Sequence, residues 1–147
     1  ANMTLVVLDN STTAMTGHQP HPGTGRTMMG EIVQSVSIEK MLRAIGLETV
    51  VTVDPLKLDE AIEAVKAVTA EPGVKAIIFK SPCVAITKPS GRSVIDPEKC
   101  TGCKSKLGCP GIIIRAGKVT IDETLCTGCG ICGCVCPFGA ISGGEKA

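Results

Sequence analysis

The stretch Cys126-x2-Cys129-x2-Cys132-x3-Cys136-Pro137 limits what this chain can fold into more than any other feature. Thiols at such short fixed intervals draw the backbone around whatever they bind. A second run repeats the plan upstream, opening with Cys100-Thr101-Gly102-Cys103 and closing with Cys109-Pro110. Only Cys83 stands outside residues 100–136, so eight of the nine cysteines are clustered. The first residues, Ala1–Asn10, lack the basic region and small-residue cleavage site of an export signal. The expected location is therefore cytoplasmic, where thiols stay reduced, and clustered reduced thiols are metal ligands before they are disulfides.

The rest of the composition narrows the class. Hydrophobic residues make up 44% of 147, enough for a core in one medium domain or two small ones. With no Trp, no Tyr and two Phe, that core is built from Val, Ile, Leu and Ala. A net charge of +1 gives no support for a nucleic-acid partner. No apolar run approaches the length of a membrane span, so no membrane partner is expected.

The first 80 residues read as α/β. Leu5-Val6-Val7-Leu8 is a continuous apolar run of the kind expected for a strand buried on both faces. Ser37 offers an N-cap to a helix carrying Ile38, Met41, Leu42 and Ile45, closed by Gly46. Thr49 to Val53 predicts a second buried strand. Asp54-Pro55 starts a second helix with Leu58, Ala61, Ile62, Val65 and Val68 on one face, ended by Pro72-Gly73. Val74 to Phe79 predicts a third strand. Alternation of this kind implies parallel pairing through right-handed crossovers. Three strands with so few helices to cover them look like the end of a larger sheet. The segment Thr87-Lys88-Pro89-Ser90-Gly91 reads as a linker, dividing residues 1–88 from residues 89–147.

The second cysteine run matches, position for position, the C-x2-C-x2-C-x3-C-P spacing that binds a [4Fe–4S] cluster. Three cysteines wrap one cube, and the fourth is carried to a neighbouring cube. Gly128, Gly130 and Gly133 let the backbone approach and aim N–H groups at sulfur. Zinc sites need two separated pairs and explain neither the triple spacing nor the Cys-Pro end. Two runs suggest an internal duplication, each half a cysteine run followed by a short hairpin; Ile112–Arg115, Ala116-Gly117 and Lys118–Ile121 form one such hairpin. By the crossed-ligand rule one cluster takes Cys126, Cys129, Cys132 and Cys109. The other takes Cys100, Cys103 and Cys136, with Lys106 where a third cysteine of the first run belongs. That second site has three options: a [3Fe–4S] core, a cube with one non-cysteine ligand, or recruitment of Cys134 as a substitute ligand. The plainer expectation for Cys134 is a small residue packed beside the cluster. Cys83 reads as a packed core or loop thiol.

The polar stretch Asp9-Asn10-Ser11-Thr12-Thr13-Ala14-Met15-Thr16-Gly17-His18-Gln19-Pro20-His21-Pro22-Gly23 follows the first strand, where open α/β sheets place ligands. Asn and hydroxyl side chains there suit a hard cation and diphosphate oxygens. The alternative is an ordinary Asx and Ser/Thr turn with incidental histidines.

"VVLDNSTTAMTGHQPHPG", followed by an α/β segment and a two-cluster tail, resembles the C-terminal part of the α subunit of indolepyruvate:ferredoxin oxidoreductases, over essentially the whole chain. The resemblance implies the C-terminal portion of a parallel-sheet thiamine diphosphate-binding domain, followed by a small α+β bacterial ferredoxin-like two-cluster domain. It implies oxidative decarboxylation of an aryl-2-oxoacid to an acyl-CoA, with electrons passed to ferredoxin. Carried over by position, Asp9 and Asn10 match the end of the thiamine diphosphate motif, with the Asn10 side chain and the Thr12 carbonyl on Mg²⁺. Thr16 and Gly17 fall near the diphosphate and thiazolium, and His18 is the candidate catalytic contact. The implied partners are the remainder of the α subunit or a split subunit, a β subunit, external ferredoxin, CoA and the oxoacid. The Gly-Asp half of the motif is not among these residues, so the chain is expected to be incomplete and inactive alone. The rival expectation is a stand-alone ferredoxin-type carrier whose α/β segment serves for docking.

Overall fold

A computed structural model of the chain describes residues 1–88, 91–103 and 108–144. It divides into two compact units, Ala1–Thr87 and Lys88–Ala147.

The first unit is a three-stranded parallel sheet with a helix on each face. Its elements run β1 (Met3–Asp9), α1 (Ile38–Ala44), β2 (Val50–Val53), α2 (Leu58–Ala70) and β3 (Val74–Lys80). The strand order is β1-β3-β2, so the last strand to appear is the central one. The register sets Leu5 beside Ala76 and Val7 beside Ile78, and on the other side Val50 beside Ala76 and Thr52 beside Ile78. Ala76, Ile77 and Ile78 are all buried because β3 has a strand on either edge and cover on both faces. The step from β1 to β2 passes over the place of β3, and the step from β2 to β3 comes back. Two right-handed crossovers in opposite directions put their helices on opposite faces.

Helix α1 starts where Ser37 Oγ accepts the Lys40 N–H at 3.2 Å, as the cap at Ser37 predicts. Leu42 packs with Val50, Ala76 and Ile78, and Val7, Ile38 and Leu47 close that cluster. Met41 and Ile45, expected on the same face, are exposed. Arg43 near the C-terminus of α1 donates to the carbonyls of Glu48 and Val50, at 2.8 and 2.9 Å, fastening the helix to the start of β2. Helix α2 begins later than Asp54-Pro55. The Asp54 carboxylate accepts from Leu56 N–H at 2.9 Å in an Asx turn, and helical geometry starts only at Leu58. Ala61 and Val68 are buried, whereas Ile62 and Val65 are exposed, so the apolar face is wider than its contact with β2 and β3.

One expectation is overturned. The run Leu5–Leu8 is not buried on both faces: β1 is an edge strand, with Val6 52% and Leu8 79% exposed. Continuous apolarity reports that a strand is apolar on both sides. It does not report what lies against them.

Among the described residues, the second unit has two short antiparallel ribbons and one short helix. Ser93–Ile95 (β4) pairs with Ile141–Gly143 (β7), and Ile112–Arg115 (β5) pairs with Lys118–Ile121 (β6). Ala116 and Gly117, at φ 50° and 77°, turn the β5–β6 hairpin with both central residues left-handed, the geometry that matches strand twist. The helix, α3, spans Ile131–Val135. The duplication takes a different form from two successive hairpins. Among the described residues Cys136 is followed by β7 alone, and β7 returns to pair with β4 ahead of the first cysteine run. Among the described residues no helix is long and apolar enough to cross a membrane.

Candidate functional site

Two regions carry the chemistry-bearing side chains, one in each unit. The first is the loop that leaves the C-terminal end of β1. Asp9 Oδ1 accepts the Ser11 N–H at 2.9 Å, and Asn10 Oδ1 accepts the Thr12 N–H at 3.2 Å. Two successive Asx turns force Ser11 to φ 61° and fold Thr12 inward, where it is buried. The carbonyls of Asp9 and Asn10 accept from Ser81 and Cys83 N–H, at 3.0 and 2.9 Å, so the loop base is pinned to the segment after β3. Cys83 is therefore a half-buried loop residue whose backbone, not its thiol, faces Asn10.

Beyond Thr12 the loop forms a closed tip. Thr13 N–H and Oγ1 both donate to the Gln19 carbonyl, and His18 N–H donates to the Thr13 carbonyl at 3.1 Å. Thr16 Oγ1 donates to Gln19 Oε1 at 2.7 Å, and Gln19 Nε2 returns a bond to the Thr16 carbonyl. Gly17 and His18 are both left-handed, at φ 106° and 62°. The fold thus brings Asp9, Asn10 and Thr12 together at the base and sets Thr16, Gly17 and His18 on an exposed tip. Of the two histidines, His21 shares a cavity with Asp9, whose other walls include Glu39, Thr52 and Lys80. A second, more apolar cavity at the same strand ends is lined by Asn10 with Leu8, Pro55 and Phe79. Oxygen donors at the carboxyl ends of parallel strands fit a hard cation and the diphosphate it neutralises.

The second region lies among the cysteines. Cys109, Cys126, Cys129 and Cys132 line one cavity of about 350 Å³, with Ser93, Ile112 and Ile121 in its wall. Cys100, Cys103 and Cys136 line a separate, smaller one, with Ile95, Val119, Phe138 and Ala140. Cys134 is exposed and lines neither cavity, and Lys106 lies outside the described residues. Among the described residues no three Cys, His, Asp or Glu side chains gather at one metal-ion position. A tetrahedral zinc site would bring its sulfurs to about 3.8 Å of one another. Thiols spread around the wall of a cavity suit a cluster that takes each on a different iron.

The two cavities are built by the same local device. Ile95-Asp96 precedes Cys100 as Ile121-Asp122 precedes Cys126. Each aspartate carboxylate accepts the backbone N–H of the residue two ahead, at 2.9 Å, while its carbonyl accepts the cysteine N–H, at 3.0 and 2.9 Å. The Thr124 hydroxyl and N–H hold the half-buried Asp122 carboxyl below its usual range. This longer repeat, Ile-Asp-x3-Cys-Thr-Gly-Cys, was legible in the sequence and extends the shared motif five residues upstream of each run.

Cys126 and Cys136 sit in a field that favours the sulfur anion. Burial raises the Cys126 pKa, but the N–H groups of Ser93 and Gly128, the Ser93 hydroxyl and the Arg92 guanidinium outweigh it and bring it below the ordinary thiol value. Backbone N–H groups of Ala140 and Phe138 lower Cys136 in the same way. Arg92 also donates to the carbonyls of Glu123 and Cys126. Sequence reasoning missed Arg92 and Ser93, which lie more than thirty residues before the thiols they face. No local motif marks them.

Residues 1–79 match the C-terminal TPP binding domain of thiamine pyrophosphate enzymes, and residues 119–142 match the 4Fe-4S binding domain. The chain belongs to the thiamine pyrophosphate enzyme family, with an iron–sulfur, ferredoxin-like region following the cofactor-binding part. It is 44% identical over 142 residues to indolepyruvate oxidoreductase subunit IorA of Methanothermobacter thermautotrophicus, covering 93% of this chain and 23% of that protein. The subunits of the same name from Archaeoglobus fulgidus and Pyrococcus horikoshii are 38% and 39% identical, over 96% and 95% of this chain and 24% of each relative. The chain therefore spans about a quarter of the length of these relatives. No solved structure matches it significantly.

Proposed function

We propose that this chain is part of an indolepyruvate:ferredoxin oxidoreductase, joining a share of the thiamine diphosphate site to the clusters that carry electrons out. The observation that carries this is the pairing, in one chain, of a cofactor-binding α/β unit with two separate thiol-lined cavities. In this reading Asn10 and the Thr12 carbonyl hold Mg²⁺, and Asp9 orients the turn that presents them. Thr16 and Gly17 approach the diphosphate and thiazolium, and His18 on the tip meets the substrate. When bound, thiamine diphosphate supplies the carbanion chemistry of decarboxylation. The protein positions it, and Cys109, Cys126, Cys129 and Cys132 would hold a [4Fe–4S] cluster, which would supply one-electron transfer. Cys100, Cys103 and Cys136 would hold a second cluster, and external ferredoxin would be the electron acceptor. CoA accepts the acyl group, and a β subunit and the rest of the α subunit complete the site.

The test uses the intact protein purified without air. With Mg²⁺, thiamine diphosphate and CoA, indolepyruvate should drive ferredoxin reduction, and omission of thiamine diphosphate should abolish it. Iron-loaded protein that exchanges electrons with ferredoxin but oxidises no 2-oxoacid would establish the stand-alone carrier instead.

A further inference from the structure

Ser93 is a buried hydroxyl residue in the wall of the larger thiol-lined cavity. The Cys132 thiol donates to Ser93 Oγ at 3.2 Å. An iron-bound cysteine is a thiolate with no proton to give, so with a cluster in place the same pair bonds in the opposite sense, Oγ–H to sulfur. Ser93 is held for this. It lies on β4 opposite Gly143, and a side chain at Gly144 would meet Ser93 Oγ at 3.0 Å. Just before it, Gly91 lies against Gly128 with no room between them. The hydroxyl is therefore fixed by backbone packing rather than free to rotate into water.

The internal repeat makes this position informative. Aligning Ile95-Asp96 and Cys100 with Ile121-Asp122 and Cys126 puts Ser93 opposite Val119. Val119 lines the smaller cavity, as Ser93 lines the larger one. At equivalent points of two similar walls, one site has a hydrogen-bond donor and the other an isopropyl group.

From this difference we infer that Ser93 sets the larger cavity's cluster apart from its neighbour, raising its reduction potential through a hydrogen bond to cysteine sulfur. A donor to sulfur stabilises the extra negative charge of the reduced cluster, which is how such bonds raise potentials. An electron shared between the two sites is then drawn further towards the Cys126 side than it would be without the hydroxyl. Ser93 is a positioning and tuning residue, not a ligand. The inference rests on the cluster assignment proposed above and goes beyond it by naming a residue outside the ligand set that separates the two clusters.

The experiment is an EPR-monitored redox titration of the intact, cluster-loaded protein, with wild type, Ser93→Ala and Ser93→Cys compared. The larger cavity's signal is assigned by its loss in Cys129→Ser. Removing the hydroxyl should lower the reduction equilibrium of that cluster about tenfold, equivalent to about 59 mV for one electron. The weak S–H donor of Ser93→Cys should fall between, and the other cluster's midpoint should not move. Full iron content with both midpoints unchanged in Ser93→Ala overturns the inference while leaving the cluster assignment standing. Loss of the cluster in both the Ala and Cys variants also overturns it, in favour of a purely structural role. Wild-type protein that takes up no iron would instead refute the cluster assignment itself.

Discussion

Gly128 and Gly91 meet backbone to backbone, with the Gly91 carbonyl oxygen where a Cβ on Gly128 would have to be. Gly128 is also left-handed, at φ 73°. Two independent reasons thus demand glycine between Cys126 and Cys129. Gly130 has the same pair of constraints, since a Cβ there would lie 2.7 Å from the Gly144 carbonyl oxygen. Small residues inside the cysteine run are what let the segment carrying Ser93 close over the thiols.

Gly128→Ala should therefore abolish cluster loading in the larger cavity. Gly139→Ala is the control, because Gly139 is left-handed at φ 57° but has open space around its Cβ position. That change should cost only about 1–2 kcal/mol of backbone strain and keep the iron. Iron and acid-labile sulfide per chain, measured on both variants, decide the matter; equal iron in the two would mean that the Gly91 contact yields easily.

Asn10→Ala should weaken Mg²⁺ and thiamine diphosphate binding by about tenfold or more, the scale seen even for outer partners of metal ligands. Asn10→Asp keeps an oxygen for both the Thr12 N–H and the cation, and should stay within a few-fold of wild type. Iron content should not change in either. Unaltered cofactor affinity in Asn10→Ala would leave Asn10 with its Asx turn alone.

The thiols should sort into two groups by substitution. Fresh protein should carry between about seven and eight iron atoms per chain, falling towards about four in air as the three-thiol site fails first. Cys129→Ser and Cys103→Ser should erase different spectroscopic signals, because their side chains line different cavities. Cys134→Ser should change neither signal, in keeping with its exposed position outside both cavities. A spectrum altered by Cys134→Ser would mean that Cys134 is recruited when iron binds.

Removing iron should loosen the second unit and spare the first. Among the described residues the second unit buries only two apolar side chains, Cys132 and Ala140, whereas the sheet of the first buries Leu42, Val50, Ala61, Val68, Ala76, Ile77 and Ile78. So thin a core leaves folding free energy to be supplied by metal binding. Hydrogen exchange after treatment with chelator and oxidant should show protection in β4–β7 and β5–β6 falling by about tenfold or more, with β3 unchanged. Retained protection across residues 93–143 would show that the ribbons stand without iron.

What the sequence determined by itself is whatever depends on a few neighbouring residues. Cysteine spacing dictates which thiols leave together and which is carried away, because the chain between them is too short to choose otherwise. Ser37 caps α1 because its hydroxyl is within reach of an N–H three residues on. Ala116-Gly117 turns a hairpin because two left-handed residues between apolar strands have little else to do. The Asp9–Gly23 loop announces its polar character in the same local way. The tertiary structure alone decided the rest. Leu5 to Leu8 read the same whether β1 is central or at the edge, and the strand order β1-β3-β2 made it an edge. The match of β7 with β4 joins segments more than forty residues apart, and nothing in either names the other. Ser93 faces Cys132 only because that pairing exists. The physical reason is that local turns and caps are chosen by short-range sterics and hydrogen bonds. Long-range partners are chosen by the free energy of burying surfaces together against the entropy of closing the loop between them, and that balance belongs to the whole fold.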